Sequence, residues 1–211
     1  MHKKVDTKVE EKRVRSKSEE KRSQIIDAAG ALFITDGFEK VSMEQIAKSA
    51  GVSKQTVYSH FGNKQLLFTA AIDCKCEEYD LAPNKIKQPM GCEEYLSLFS
   101  QQLSSLLISE DAIGMFRACI SGAGQSEVSK LFWEAGPGKI RRQLRVYLEE
   151  QSKLGILCIE NIDTAAAQLM SMIVCETQFQ SLIGLPQSKS TEELKQYATQ
   201  CAQLFYKAYR C

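Results

Sequence analysis

Apolar residues along the chain recur at steps of three and four, and sustained alternation of apolar with polar residues occurs nowhere. Ile25, Ile26, Ala29, Leu32 and Phe33 form one face of a first helix. Ser18 is placed to cap it, with Glu19 and Glu20 in its first turn, where acids suit the macrodipole. Asp36-Gly37 ends it, and Phe38 and Val41 turn back to the core. Ser42 and Gln45 have the spacing of a capping box, opening a second helix whose inner face is Met43, Ile46 and Ala47. Ala50-Gly51-Val52 is a tight turn; Ser53 caps a short third helix to His60, anchored by Val57 and Phe61. Asn63 caps a fourth helix with Leu66, Leu67, Ala70 and Ile72.

Beyond a loop bounded by Pro83 and Pro89, the pattern stays helical. Tyr95 to Leu107 forms one helix, and Ser109 caps the next, which runs toward a break at Gly122-Ala123-Gly124. A long helical region from Val128 to Leu148 is interrupted at Gly136-Pro137-Gly138 and closed by Leu154-Gly155. One helix is expected over 165–183, and a capping box at Ser190 and Glu193 opens the last. The expected fold is therefore all-α. Its divisions are a basic disordered arm at 1–17, a helix-turn-helix unit at 18–64 and a helical body at 65–211.

At 44% hydrophobic and 25% charged residues, the chain has the balance of a soluble globular protein. No uninterrupted apolar run reaches the ~18 residues of a spanning helix, and no apolar run follows the charged start, so neither membrane nor export is expected. The net charge of +1 hides an asymmetry. Residues 1–68 carry 13 Lys/Arg against 9 Asp/Glu; the rest carry 14 against 17. A basic end fits a polyanionic partner, and a solvated tail of mixed charge reads equally well. Eight cysteines, at 74, 76, 92, 119, 158, 175, 201 and 211, sit mostly within apolar helical patterns. In a reducing cytosol they are expected to be free thiols. With two histidines and no Cys-x-x-Cys, neither a metal nor any other cofactor is expected.

Ser42 to Phe61 has the shape of a helix-turn-helix, although an ordinary helical corner with a solvated face shares it. The short helix turns Lys54, Gln55, Thr56, Ser59 and His60 outward. Gln, Thr and Lys side chains suit base edges in a major groove. Ser42, Tyr58, His60 and Lys64 suit phosphates, and Ser53 opens the helix among them.

The run Phe38-Glu39-Lys40-Val41-Ser42-Met43-Glu44-Gln45-Ile46-Ala47, followed by Ala50-Gly51-Val52-Ser53-Lys54-Gln55-Thr56-Val57-Tyr58-Ser59-His60-Phe61-Gly62-Asn63-Lys64-Gln65-Leu66-Leu67, resembles the DNA-binding domain of TetR/AcrR-type transcriptional regulators. The resemblance covers about residues 20–70. The stretch from Met115 through Trp133 to Pro137, with Leu148 and Gln151 to Gly155, resembles the C-terminal domain of AefR-like members. Two positions depart from the family pattern: Gln55, where Gly, Pro or Ala is common, and His60, where Tyr is common.

The resemblance implies a ligand-responsive regulator, a repressor, that binds a palindromic double-stranded operator as a homodimer and is released by a small hydrophobic effector. It also implies a cytoplasmic, nucleoid-associated protein of bacteria. Dimerisation would use the last two long helices through Leu169, Ile173, Leu182, Leu194, Tyr197, Cys201 and Phe205; burial within one protomer is the other reading of the same pattern. The effector would lie among Phe99, Leu103, Met115, Phe116, Cys119, Trp133, Tyr147, Met172 and Phe179, each of which reads also as plain core; Arg117 or Arg141 would select an acidic ligand, the other reading being ordinary exposed arginines. No hydrolase, zincin or dinucleotide motif appears, so no enzyme is expected; Gly136-Pro137-Gly138-Lys139 lacks the first glycine and the Ser/Thr of a phosphate loop. A thiol redox sensor using Cys74/Cys76 or Cys211 is the rival reading.

Overall fold

The computed structural model describes residues 16–79, 81, 90–121, 126–174, 176–187 and 189–211. They form eleven α-helices: α1 (Lys17–Asp36), α2 (Met43–Ser49), α3 (Lys54–Phe61), α4 (Lys64–Glu78), α5 (Cys92–Leu107), α6 (Glu110–Ser121), α7 (Ser126–Ala135), α8 (Pro137–Lys153), α9 (Ile162–Ile173), α10 (Glu176–Leu182) and α11 (Thr191–Tyr209). The fold is all-α; among the described residues the one extended pairing is an isolated bridge between Leu157 and Arg210. No described helix is long and apolar enough to cross a membrane. Most of the expected arm, the Pro83–Pro89 loop, the Gly122–Gly124 break and Cys175 lie outside the described residues.

Local chemistry sets most helix starts. The capping boxes at Ser42/Gln45 and Ser190/Glu193 are both present. Helix α1 differs from expectation: Ser16, not Ser18, is the cap, and Lys17 belongs to the helix rather than the arm. Three residues beyond Ser16 stands Glu19, whose carboxylate accepts the Ser16 N–H at 2.7 Å; the residue three beyond Ser18 is Lys21, which cannot. The helix expected over 165–183 is two, α9 beginning at Ile162 under an Asn161 cap and α10 beginning at Glu176. Between them Val174 has ψ 81°, far from helical.

A first core gathers Ile25, Ala29, Phe33, Ile46, Val57 and Phe61 from α1–α3. The Phe33 ring lies 5.6 Å from that of Phe38 and 5.2 Å from that of Phe68 on α4. The division at residue 64 is no boundary of this core. Leu67, Phe68, Ala71 and Ile72 of α4 join it, and so do Met115, Val128 and Ala135 of α6 and α7. Helix α6 crosses α1 where Gly114 meets Ile34: a Cβ on Gly114 would stand 2.5 Å from Cγ2 of Ile34. The second core joins α5, α8, α9 and α11, with Leu96, Phe99, Leu103, Leu144, Leu148, Leu169 and Phe205. Gln101 donates to Thr199 Oγ1 at 2.8 Å, linking α5 to α11.

Cys158 and Cys211 are joined by a disulfide, against the expectation of free thiols. They are 53 residues apart, and only the pairing of the α8–α9 connection with the end of α11 brings them together. Cys74, Cys76, Cys92 and Cys119 are free thiols, and Cys201 donates to Met172 O at 3.6 Å.

Candidate nucleic-acid interface and effector cavity

The turn between α2 and α3 is a Schellman motif. Val52 N–H donates to Ala47 O at 3.0 Å, Gly51 N–H donates to Lys48 O at 3.3 Å, and Gly51 has φ 65°. A side chain there would be strained, so the glycine sets how α3 leaves α2. Helix α3 has two turns and cannot persist alone. Val57 (0% exposed) and Phe61 hold it on the first core, and Ser53 Oγ accepts from Thr56 N–H at 3.1 Å.

Lys54, Gln55, Tyr58 and Ser59 are exposed on α3, as is Ser53; Thr56, His60, Ser42 and Lys64 are half-buried. Lys54 pairs with Glu44 of α2, which raises the lysine pKa and lowers that of the carboxylate, and its ammonium stands 5.7 Å from the Tyr58 ring. Thr56 Oγ1 is 2.8 Å from Ser53 Oγ, so this hydroxyl is partly spent on the cap. Gln55 has no such tie and projects from the first turn.

Lys64 is placed differently from the expected phosphate contact. Its ammonium donates to Phe38 O at 2.8 Å and lies 4.3 Å from the Phe38 ring centroid, joining the start of α4 to the turn after α1. An interaction already satisfied inside the fold leaves little for a phosphate. Sequence reasoning also passed over Arg22, whose guanidinium lies 5.2 Å from the Phe61 ring and brings a cation to the end of α3. That contact joins separate helices and has no local signal.

A cavity of about 270 Å³ opens where α1, α4, α5, α6, α7, α8 and α9 converge. Leu103, Met115 and Phe116 line it with Ile34, Ile72, Leu106, Leu107, Phe132, Ile140 and Met170. The remaining effector candidates lie elsewhere. Phe99 and Tyr147 belong to the second core, where Tyr147 stacks on Tyr95 at 3.7 Å. Cys119 and Met172 are half-buried away from the cavity, and Trp133 and Phe179 are 52% and 63% exposed. The arginines are elsewhere too: Arg117 donates to Leu182 O at 3.0 Å, and Arg141 lies beside Asp163.

The charged residues lining the cavity are Asp27, Lys75, Glu78 and Asp111. Lys75 contacts Asp111 at 2.7 Å and Glu78 at 2.8 Å. Burial works against its charge, but the hydrogen bonds to Asp111 and Glu78 outweigh burial and hold its pKa above the usual lysine range. Cys76, at the same wall, is pushed up to about 11, first by burial and then by Asp73. Gly30, inside α1, also lines the cavity, and a Cβ built on it would meet nothing within 4 Å. Glycine within a helix costs about 0.5–1 kcal/mol relative to alanine, and here it leaves open space beside the first helix.

Five dimerisation candidates lie inside the protomer. Leu169, Ile173, Leu194, Cys201 and Phe205 are all buried, and Tyr197, half-buried, donates to Met172 O at 3.1 Å. Leu169, Ile173, Cys201 and Phe205 face their own second core and Leu194 is 1% exposed, so they offer a partner no surface; Leu182 is half-buried. The large apolar groups left outside on this part of the chain include Val174, Phe179, Ile183, Leu185 and Leu204.

Comparison with known proteins follows this division of the chain. Residues 25–71 match the model of the tetR family of bacterial regulatory proteins, and residues 94–211 match the C-terminal domain of AefR-like transcriptional repressors. The chain belongs to the TetR family. It is a DNA-binding transcriptional regulator and not an enzyme. The HTH-type regulator TtgR of Pseudomonas putida is 33% identical over 92 residues, 41% of this chain and 44% of TtgR. The HTH-type activator FasR of Mycolicibacterium smegmatis is 39% identical over 54 residues, 26% of this chain and 25% of FasR. The alignments thus span less than half of these curated relatives. A TetR-family structure from Mesorhizobium loti shares the fold at a TM-score of 0.73 and 24% identity, covering 93% of this chain and all of that one. The flavonoid-responsive regulator FrrA superposes at a TM-score of 0.67 with 29% identity, covering 91% and 98%.

Proposed function

We propose that this TetR-family regulator is a repressor that binds a palindromic operator as a homodimer and is released when a small, largely hydrophobic effector enters the cavity. The observation that carries this reading is the composition of the cavity wall. Ile26, Gly30, Ala31 and Ile34 of the DNA-binding domain face the same space as Met115, Phe116 and Phe132 of the body. A ligand there touches both halves at once, so its binding energy can favour one orientation of α1 and α4 over another. In a two-fold dimer that orientation sets the spacing of the two α3 helices, which must match successive major grooves. The walls suit an apolar ligand body. The carboxylates of Asp27, Glu78 and Asp111 suit a donor group on it, and the one lysine is already paired, so an acidic ligand is disfavoured.

Gel-shift titration on DNA flanking the protein's own gene, with and without extracted small molecules, tests the proposal. Release of a bound operator fragment is the expected result; affinity unchanged by every compound that binds the body would overturn it. Gly30→Leu provides a sharper form. A Cβ at this position meets nothing within 4 Å, so the leucine side chain can start into the cavity, and leucine is the better helix former; operator affinity should stay within about two-fold while the effector response falls at least ten-fold. On the DNA side, the exposure of Gln55 on α3 supports a base-edge contact, and the bond from Lys64 to Phe38 O supports a role in holding the fold. Gln55→Ala should lower the preference among operator variants by about 1–3 kcal/mol at the contacted base pair, measured by competition gel shifts. Lys64→Ala should lower thermal stability and weaken all sequences alike, without changing the ranking.

A further inference from the structure

The expected free thiols and the bonded pair in the structure are reconciled if the bond is reversible. We propose that Cys158 and Cys211 form a dithiol–disulfide pair that responds to cellular thiol redox state and staples the end of α11 to the α8–α9 connection. The inference is independent of the effector reading.

Three observations carry it. The first is alignment that does not need the bond. Cys158 N–H donates to Tyr209 O at 2.7 Å, Cys211 N–H donates to Ile156 O at 3.3 Å, and Leu157, 1% exposed, anchors the segment in the second core. The two sulfurs are held together by backbone and packing, so closure costs little additional order. The second is access. Cys158 and Cys211 are both exposed, whereas the other cysteines among the described residues are buried or half-buried. A low-molecular-weight disulfide can reach this pair in preference to the others. Burial also raises the thiol pKa of Cys74, Cys92, Cys76 and Cys119, to about 11 for the last two, which leaves them poor nucleophiles near neutral pH.

The third is position. The bond closes a loop of 53 residues that contains α9, α10 and α11, including the Met170 and Val174 wall of the cavity. The exchange balances with glutathione disulfide as oxidant. One protein thiolate attacks a glutathione sulfur and releases glutathione; the second thiolate then attacks the mixed disulfide and releases another. One protein S–S bond forms, one glutathione S–S bond breaks, and the two protons of the protein thiols leave on two glutathione molecules.

The full chain equilibrated in glutathione buffers of graded ratio, acid-quenched, alkylated and mapped by mass spectrometry tests this. A single two-electron transition that yields an intramolecular Cys158–Cys211 peptide is expected. Thermal unfolding of the two end states should differ by about 10 °C, the oxidised form higher, given the entropy of a loop this long. C158S and C211S should each fold and abolish the difference. The proposal is overturned if no crosslink forms at any ratio, if crosslinks form only between chains, or if the oxidised and reduced forms melt together.

Discussion

Glutamate at Phe179 or Leu204 should convert the proposed homodimer to a monomer and remove high-affinity operator binding. The two side chains are 63% and 62% exposed, and large apolar groups left outside a folded protomer are the surface a partner copy can cover. Burying such a side chain contributes about 1.5–3 kcal/mol, and two-fold symmetry applies each substitution twice. A buried carboxylate adds a further cost, so the dimer dissociation constant should rise by a factor on the order of 10³ or more. A monomer reads one half-site, and operator affinity should fall by at least about 10². Because both positions are exposed, protomer stability should change by less than about 0.5 kcal/mol. Light scattering at micromolar concentration and gel shifts on the intact operator measure the two effects. A dimer unaffected by either substitution would move the interface elsewhere.

Phe33→Ala should produce the largest loss of stability. The ring is fully buried and touches both Phe38 and Phe68, so it ties α1 to the turn that follows and to α4. Removing a buried phenylalanine costs about 3–5 kcal/mol, and the lost ring contacts favour the upper part of that range. In a chain of this length the midpoint should fall by about 10 °C or more. Operator binding should fail at temperatures the parent tolerates, since α3 has no support of its own. Phe33→Leu keeps most of the volume and should recover more than half of the loss. Urea unfolding followed by circular dichroism gives both values; a cost below 1 kcal/mol would mean that the core closes over the gap.

These expectations show which parts of the site were local. Ser42 with Gln45, Ser53 with Thr56 and the Gly51 turn each act within a few residues, so the helix-turn-helix and the exposure of Gln55 could be read before any fold was known. Ser16 with Glu19 is equally local, and the same three-residue rule selects it over Ser18. Lys64 could not be placed that way, because its partner at Phe38 lies on another segment. The effector candidates fared in the same manner: Leu103, Met115 and Phe116 reach the cavity, while Trp133 and Phe179, with the same composition and spacing, face outward.

Helical periodicity, caps and the glycine turn determined an all-α chain with a polar-faced short helix near its start, because each of these signals is a free energy paid and recovered within one or two turns of backbone. Which apolar faces close on one another, where Gly30 leaves a space, and that Cys158 meets Cys211 were decided only in three dimensions. An amphipathic stripe states that a face must be covered; the crossing of α1, α4 and α6 and the return of α11 determine what covers it.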